Sequence, residues 1–290
     1  AQTAAVTDLN ADSANVNETV TYTKVGSLVP SSSDGNFPGA RPVVYPNDPS
    51  DATKVTPAGV PTVPGYTAHD PEGHVLTPGS SYQPSDPTKD TTITYTADQQ
   101  QGSVSYVDDT TRKTLKTDSI SGTTGSKSSY STSGSIADYK KQGYELVTDG
   151  YPADLTFDND DTTDQNFTVH LKHRLTPVNP TDPQTPGTPI NPDEPKGPKW
   201  PTSTNYDKTV NETISYVDQN GNVVAKQHTD SVNFTRTVVV DNVTGEVITS
   251  GAGTTAWTAT NGDTTFDAVV SPVGPGSVAC LLYTSDAADE

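Results

Sequence analysis

The sequence predicts a mainly β protein of the α+β class, built from small modules with one short helix per module. Pro and Gly supply 24 and 22 of the 290 residues, and only 30% of the residues are hydrophobic. This composition favours short strands joined by many turns around small cores. A strand-like hexapeptide also recurs, as Asn-Glu-Thr-Val-Thr-Tyr at 17–22 and as Asn-Glu-Thr-Ile-Ser-Tyr at 211–216. We therefore expect an elongated, tandem-domain architecture.

The acidic composition argues against two classes of partner. Asp and Glu number 36 against 17 Lys and Arg, which gives a formal net charge of -19. Nucleic-acid binding depends on clustered cations, so we expect no nucleic-acid partner. No apolar run approaches the roughly 20 residues of a membrane-spanning helix, so we expect no membrane insertion in this stretch.

Both ends of the sequence are interpreted as lying outside complete domains. The chain has no Met, and no signal segment follows Ala1, so we interpret it as a piece of a longer protein in which residues 1–24 end a preceding module. Residues 280–290 contain the only cysteine, Cys280, and depart in composition from the rest. They resemble a translated adapter from transposase-based DNA library preparation and are excluded from the fold prediction.

Residues 25–98 are predicted to form a small Pro-rich β module. Proline lacks the N–H group that a sheet ladder uses, so the many Pro-containing turns leave few residues for a central strand. The module is expected to be rich in edge strands and to end in a strand at 91–96.

Residues 102–175 have the pattern of a β-grasp domain. Alternation at 103–107 predicts a strand, with a turn at 108–111 and a hairpin partner at 114–120. A helix is predicted over 135–143, with Ser135 as N-cap, Ile136 and Tyr139 on one face, and Gly143 as its end. Strands at 144–147 and 167–171 complete the order of hairpin, helix and strands.

Residues 176–201 are predicted to be a linker, because proline occurs there at every third position and favours a semi-rigid polyproline II spacer. Residues 202–274 are interpreted as the start of a further, truncated β domain. Asn220 and Gly221 predict a type I′ hairpin between strands at 212–217 and 222–227. Strands at 234–240 and 245–248 follow, with Trp257 and Phe266 as expected core anchors.

The titratable residues form no pattern that indicates catalysis. The histidines are His69, His74, His170, His173 and His228. Only His170 and His173 are close in sequence, and a separation of three in a strand puts them on opposite faces, so we expect ordinary surface histidines and no metal site. No nucleophile and base can be paired from the sequence. We expect no enzyme, no catalytic residue and no cofactor.

The acidic run at 158–164 is a candidate calcium-binding site, because hard cations bind several carboxylate oxygens. It fails the EF-hand pattern, since Thr163 and Val169 stand where that loop needs Gly and Glu. We interpret the run as a solvated acidic loop. The five Asn-x-Thr triplets are attributed to the Thr-rich composition.

Aromatic side chains are the best candidates for ligand contact, because sugar faces stack on exposed rings. Tyr139 and Tyr144 are expected to fill the core, whereas Tyr130 and Tyr151 are expected to be exposed in loops. The sequence alone assigns no binding residue.

The ordered set of these pieces resembles the mucus-binding (Mub/MucBP) repeats of lactobacillus-type Gram-positive surface adhesins. Val-Ser-Tyr-Val-Asp-Asp at 104–109 and Lys-Gln-Gly-Tyr-Glu-Leu-Val at 141–147 look like a MucBP domain, and residues 212–268 look like the opening of a Mub domain. The resemblance implies a monomeric, elongated protein of the extracellular cell-wall surface whose modules bind mucin or other host glycans. No LPxTG sorting motif is present. The alternative is a non-binding stalk that projects a distal domain from the wall.

Overall fold

The computed structural model describes residues 8–280 of the chain, and these residues are mainly β. They contain a single α-helix, so the prediction of one short helix in every module is wrong. Residues 281–290 of the adapter-like tail lie outside the described part, and Cys280 is exposed. The described residues fall into two compact units, the first with residues 8–133 and 147–170 and the second with residues 134–146 and 171–280.

The first unit begins with a five-stranded sheet. Its strands and those of a small two-stranded sheet are β1 (Ser27–Ser31), β2 (Val43–Val44), β3 (Ala58–Gly59), β4 (Tyr66–His69), β5 (Val75–Leu76), β6 (Ser81–Tyr82) and β7 (Thr91–Ala97). The strand order is β2-β1-β7-β4-β5, with β3 and β6 paired separately. β7 lies in the centre, parallel to β1 and antiparallel to β4, which confirms the strand predicted at 91–96.

Alternation along β7 separates a core face from an exposed face. Ile93 and Tyr95 are buried, whereas the threonines between and beside them point away from the core. Tyr95 stacks on Phe37 at 5.2 Å between ring centroids, and its hydroxyl donates to the Pro61 carbonyl. Tyr45 is also buried and donates to the Lys89 carbonyl at 2.7 Å. Both phenols thus bury large rings without leaving a hydroxyl unpaired.

The following segment forms a four-stranded sheet and the helix. Its elements are β8 (Gln99–Asp108), β9 (Lys113–Thr123), α1 (Ser133–Lys141), β10 (Tyr144–Asp149) and β11 (Gln165–His173). The strand order is β10-β11-β8-β9. β8 and β9 pair antiparallel around a short turn, which confirms the predicted hairpin. β10 and β11 cover the strands predicted at 144–147 and 167–171.

The start of α1 differs from the prediction. The helix begins at Ser133, so Ser135 lies inside it rather than at the N-cap. Ser and Thr fill several neighbouring positions, and residues of this type suit a cap at any of them, so sequence alone does not fix the start. The end is confirmed, because Gly143 has a φ of +99° and its N–H donates to the Lys140 carbonyl at 3.1 Å.

The second unit contains two three-stranded sheets. Its elements are β12 (Leu175–Val178), a 3-10 turn (Ser203–Asn205), β13 (Asp207–Val217), β14 (Val223–Thr235), β15 (Val238–Asp241), β16 (Val247–Ile248) and β17 (Thr258–Ala259). The strand orders are β12-β15-β16 and β13-β14-β17. The single strand predicted at 234–240 is divided, because β14 ends at Thr235 and β15 starts at Val238. Trp257 and Phe266 are only half-buried, so they are not core anchors.

The hairpin of β13 and β14 is confirmed, but its turn type is not. A type I′ turn needs positive φ at both central residues, and of Asn220 and Gly221 only Gly221 has it, at +83°. The Asp218 carboxylate accepts the backbone N–H groups of Asn220 and Asn222, each at 2.9 Å. These bonds close the turn without a positive φ at Asn220, so a single glycine suffices.

The predicted spacer at 176–201 is folded, which corrects the polyproline interpretation. Pro177 lies in β12 opposite Val239, and β12 is an edge strand, where a residue without an N–H is tolerated. Ile190 is buried, and Trp200 packs against the same cluster. The Trp200 carbonyl and N–H both hydrogen-bond within the segment. Apolar residues between the prolines therefore give this stretch a core.

The hexapeptide repeat does not form equivalent structures. Residues 211–216 belong to β13 and pair with β14. Residues 17–22 form no strand, and Tyr22 is 81% exposed. A strand needs a neighbour for its backbone hydrogen bonds, and none of the described residues supplies one to 17–22. The strand predicted there is therefore absent from the structure.

Candidate functional site

An aromatic surface in residues 99–173 is the candidate binding site. Tyr130 follows β9, Tyr151 follows β10, and Phe167 lies on β11; we call these three residues the tyrosine patch. The ring centroids of Tyr130 and Tyr151 are 5.3 Å apart, and those of Tyr151 and Phe167 are 5.5 Å apart, both edge to face. All three side chains are half-buried. The rings thus fix one another while part of each stays accessible to a ligand.

The hydroxyl groups of the tyrosine patch are held by polar partners. Tyr151 donates to Ser128 Oγ at 2.7 Å, and Tyr130 donates to Asp118 Oδ2 at 2.8 Å. The Tyr130 hydroxyl is also 2.5 Å from that of Tyr106. Burial, followed by these two contacts, raises the pKa of Tyr130. Tyr130 therefore stays protonated and acts as a hydrogen-bond donor.

The Asp118 carboxylate connects the tyrosine patch to a cation. The hydrogen bond from Tyr130 is the main cause that lowers the pKa of Asp118, and Lys116 at 3.2 Å lowers it further, against an opposing effect of burial. Lys116 also lies 4.9 Å from the ring centroid of Tyr106. Asp118 and Lys116 are each about one-third exposed. The arrangement offers a charged acceptor, a charged donor and apolar ring surface side by side, the combination that a sugar requires.

The sequence analysis named Tyr130 and Tyr151 as exposed tyrosines without assigning either to a binding site, and it did not name Phe167. The two tyrosines were expected to be exposed in loops, whereas they are half-buried and in contact. Tyr139 and Tyr144, expected in the core, are also half-buried and lie 5.5 Å apart. Phe167 lies on the same face of β11 as the buried Val169 and Leu171, so its position in the sequence is typical of a core residue. Only the fold brings it to the two loops.

A second surface is an open groove of ≈ 470 Å³ on the exposed face of β7. It is lined by His69, Asp70, Pro71, Gly73, Thr92, Thr94 and Thr96. The His69 ring nitrogen lies 3.3 Å from the Thr94 carbonyl. Its lining residues include three threonines and no aromatic ring other than the histidine, so the groove offers hydroxyl groups but little stacking surface.

One group of three potential metal ligands comes together in residues 8–280, namely Asp70, Glu72 and His74. The Asp70 carboxylate is already used within the loop. It accepts the backbone N–H groups of Glu72 and His74, each at 2.9 Å, and its other oxygen lies 3.1 Å from the His74 ring. Burial raises the pKa of Asp70, but these hydrogen bonds together outweigh it, so the pKa is lowered. The group acts as a loop cap.

The acidic run at 158–164 is also used for loop structure. The Asp160 carboxylate accepts the hydroxyl and the N–H of Thr162, and these bonds lower its pKa. Asp158 accepts the N–H of Asp160 at 3.1 Å. The carboxylates thus close turns instead of converging on a common centre.

The remaining histidines are placed in different environments. His170 is half-exposed, with Nδ1 2.7 Å from Asp109, and His228 is half-buried on β14. His173 lies on the opposite face of β11 from His170, as the spacing predicts. It is not a surface residue, however, because its side chain is 4% exposed and lies 2.7 Å from Asp241. The surface interpretation of His173 is therefore wrong.

A carboxyl pair lies where β7 passes into β8. Asp98 accepts from Thr67 Oγ1 at 2.5 Å, and Asp161 accepts from Gln100 Nε2 at 2.6 Å. Burial is the first cause that raises the pKa of Asp98, and a hydrogen bond to Asp161 raises it further against the effect of Thr67. Because the folded state binds this proton more readily than the unfolded chain, the pair is favourable in acid and unfavourable once pH rises through the raised pKa.

We expect Asp98→Asn to raise the stability of the chain at pH 7. The amide keeps the acceptor for Thr67 and removes the like charge beside Asp161, which is worth about 0.5–1 kcal/mol, or ~2 °C in Tm. The gain should vanish in melts below the unfolded-state pKa of Asp, where wild-type Asp98 is protonated in both states. Asp164→Asn, in the same acidic loop, is the control and should leave Tm unchanged; an equal gain there would show a general charge effect instead.

Known protein domains and solved structures are similar to parts of this chain. A mucin binding domain matches residues 99–173, and a Muc B2-like domain matches residues 201–285. The type 2 repeat of the mucus binding protein MUB from Lactobacillus reuteri is 35% identical, over 55% of this chain and 74% of the repeat. The chain belongs to the mucus-binding (Mub/MucBP) protein family. The solved structure of Mub-RV is 34% identical, over 56% of this chain and 73% of its own.

The Mub-family assignment rests on sequence, since the two solved structures superpose with TM-scores of 0.39 and 0.41. Curated proteins gave no match. The tyrosine patch of this Mub-family chain lies within the segment matched by the mucin binding domain. Across residues 8–280, no helix has the length and apolar character needed to cross a bilayer.

Proposed function

We propose that this chain is part of a non-enzymatic surface adhesin that binds the glycans of mucin or other host glycoproteins through the tyrosine patch. The match of residues 99–173 to a mucin binding domain is the observation that carries the proposal. The patch supports it, because it is the place in that segment where three ring surfaces meet a carboxylate and an ammonium group. Stacking with hydrogen bonds to hydroxyl groups is the usual way in which proteins hold neutral sugars.

The domain organisation is part of the proposal. Residues 102–175 would form a β-grasp domain, supported by the order of hairpin, helix and strands around a four-stranded sheet. Residues 1–24 would end a preceding module, 25–98 form a Pro-rich β module, and 202–274 open a Mub-type domain. The adhesin would be elongated, monomeric and attached to a Gram-positive cell wall. Weak sites repeated along such a chain would gain strength through avidity.

The test is surface plasmon resonance of the full chain over immobilised mucin, before and after enzymatic removal of its glycans. We expect saturable binding that is lost with the glycans and competed by free mucin oligosaccharides. Absence of binding by chain that circular dichroism shows to be folded would contradict the proposal. It would favour the alternative, a stalk whose modules only project a distal domain.

We expect Tyr151→Ala to weaken mucin binding about tenfold, since loss of one stacked ring costs about 1.4 kcal/mol. Tyr151→Phe keeps the ring and loses only the bond to Ser128, so it should retain most of the affinity. Tyr22→Ala is the matched control, because Tyr22 is 81% exposed and lies outside the matched domain. Equal affinity of the Tyr151→Ala and Tyr22→Ala proteins would place the binding site elsewhere.

A further inference from the structure

Within the first unit, a single residue connects the five-stranded sheet to the hairpin of β8 and β9. β7 and β8 are separated by Asp98 alone. Thr124 directly follows β9. Its N–H donates to the Asp98 carbonyl at 3.0 Å, and its hydroxyl donates to the Gly65 carbonyl at 2.8 Å. These bonds hold the end of the hairpin on the five-stranded sheet, and we call Gly65, Asp98 and Thr124 the junction.

The junction is tightly packed on one side and open on the other. A Cβ on Gly65 would lie 2.7 Å from the Thr124 side chain and 2.9 Å from Asn159 Cα, so the loop of residues 158–164 touches the junction there. Beside this contact is an open groove of ≈ 330 Å³, whose lining includes Tyr66 from one part and Phe157 from the other. Because the facing surfaces touch over only part of their area, the loop depends on a few polar contacts for its position.

Two carboxyl groups meet at the point where the loop reaches the junction. Thr67 orients the carboxyl group of Asp98, and Gln100 orients that of Asp161. The Gln100 side chain is buried and also donates to Thr124 Oγ1 at 3.1 Å, so its amide is fixed in position. A hydrogen bond joins the Asp98 and Asp161 carboxyl groups. One of them must carry a proton, since an ionised carboxylate has no hydrogen to donate.

The surroundings of the carboxyl pair contain acidic and neutral groups. Among the described residues, neither carboxyl group forms an ion pair with a Lys, Arg or His, and the partners on β4, on β8 and after β9 are neutral. His69 of β4 pairs with Thr94, farther along β7. The loop also carries Asp158, Asp160 and Asp164, and the first two of these carboxylates accept hydrogen bonds within the loop. A charge on both members of the pair would therefore be uncompensated.

We propose that the carboxyl pair is a proton-dependent clasp: a proton shared between Asp98 and Asp161 holds the loop of residues 158–164 on the junction, and loss of that proton releases the loop. Two ionised carboxylates at hydrogen-bond distance repel each other. Burial is the first cause that raises the pKa of Asp98, and Asp161 raises it further. The clasp is therefore closed below the ordinary pKa of Asp and opens as the pH rises through the raised value. It does not depend on the proposed function.

Amide hydrogen exchange of the full chain, corrected for the intrinsic effect of pH on exchange, measures the clasp. We expect protection of the loop amides and of Thr124 to be about two- to fivefold lower at about pH 7 than at about pH 4, the usual size of a like-charge contact. The loop closed by Asp70 is an internal control of opposite sign, because the pKa of Asp70 is lowered and the amides of Glu72 and His74 should lose protection in acid. Unchanged protection of the 158–164 loop, or the same change in both loops, would overturn the proposal.

Amide variants assign the effect to the shared proton. In Asp98→Asn or Asp161→Asn, the new amide can donate to the remaining carboxylate at any pH. Each variant should therefore keep the loop as protected at neutral pH as the wild-type loop is in acid. Asp164→Asn, in the same loop, should retain the wild-type loss of protection. A loss of equal size in the wild type and all three variants would show that the carboxyl pair does not hold the loop.

Calcium distinguishes a proton clasp from a cation site, because two facing carboxylates are also able to hold a hard cation. The exchange measurement at neutral pH is repeated with calcium chloride. We expect the protection of the 158–164 loop to stay at its low neutral value. Recovery of protection with calcium in the wild type, together with a calcium response that Asp98→Asn abolishes, would identify a cation site and overturn the proton assignment.

Discussion

Asp241→Ala is expected to destabilise the second unit by about 3 kcal/mol, because it removes a carboxylate acceptor from a buried contact and leaves the partner unsatisfied. Asp241 Oδ2 lies 2.7 Å from His173 Nδ1, and the two side chains are 7% and 4% exposed. The ring of His173 also packs edge to face on Tyr144 at 5.3 Å. Without the carboxylate, a buried ring nitrogen loses its partner in a place that water does not reach.

The Asp241 carboxylate also stabilises a turn. Its Oδ1 accepts the backbone N–H groups of Val243 and Thr244 at 2.8 and 3.1 Å, which closes the turn after β15. Alanine loses these bonds as well, so the turn and the contact with His173 are lost together. Asp241→Asn keeps acceptor oxygen and should cost clearly less than alanine.

Chemical denaturation is followed by two signals. Tryptophan fluorescence reports on the second unit, because both Trp200 and Trp257 belong to it, and circular dichroism reports on both units and so also measures the control. Asp109→Ala is the matched control. Asp109 lies at the same 2.7 Å from His170, but the side chains are 40% and 42% exposed, so its loss should cost less than about 1 kcal/mol. Similar losses for the Asp241→Ala and Asp109→Ala proteins would refute the argument from burial.

The histidines illustrate what sequence could and could not predict. A spacing of three correctly placed His170 and His173 on opposite faces of a strand, since alternation is a local property. The partner of His173 is 68 residues away, so no local pattern could reveal that His173 is buried. The tyrosine patch was not predicted for the same reason, because its three rings come from separate segments that the sheet brings together.

Two errors of prediction have a common physical cause. The spacer at 176–201 was inferred from its prolines, yet Val178, Ile190 and Trp200 supply enough apolar surface for the segment to pack. The strand at 17–22 was inferred from its similarity to β13, yet it has no partner among the described residues. In both cases the deciding contact is tertiary, and local propensity is a weaker influence than packing.

Gly102→Ala is expected to destabilise the four-stranded sheet by about 3 kcal/mol. A Cβ on Gly102 would lie 2.1 Å from the Gln165 carbonyl oxygen and 3.1 Å from Ile120 Cγ1. The carbonyl is part of the backbone of β11, so it cannot rotate away, and β8 and β11 must separate. Sequence did not identify this glycine, because nothing local marks a close approach between strands.

Amide hydrogen exchange of β8 and β11 measures the change, since ~3 kcal/mol corresponds to roughly a hundredfold faster exchange through opening of the sheet. Gly35→Ala is the control in the same unit, because a Cβ there meets nothing within 4 Å. Unchanged exchange in the Gly102→Ala protein would mean that the two strands separate at little cost. Gln165 is two residues before Phe167, so a displaced β11 would also move one ring of the tyrosine patch. We therefore expect Gly102→Ala, and not Gly35→Ala, to weaken mucin binding without altering any residue of the patch itself.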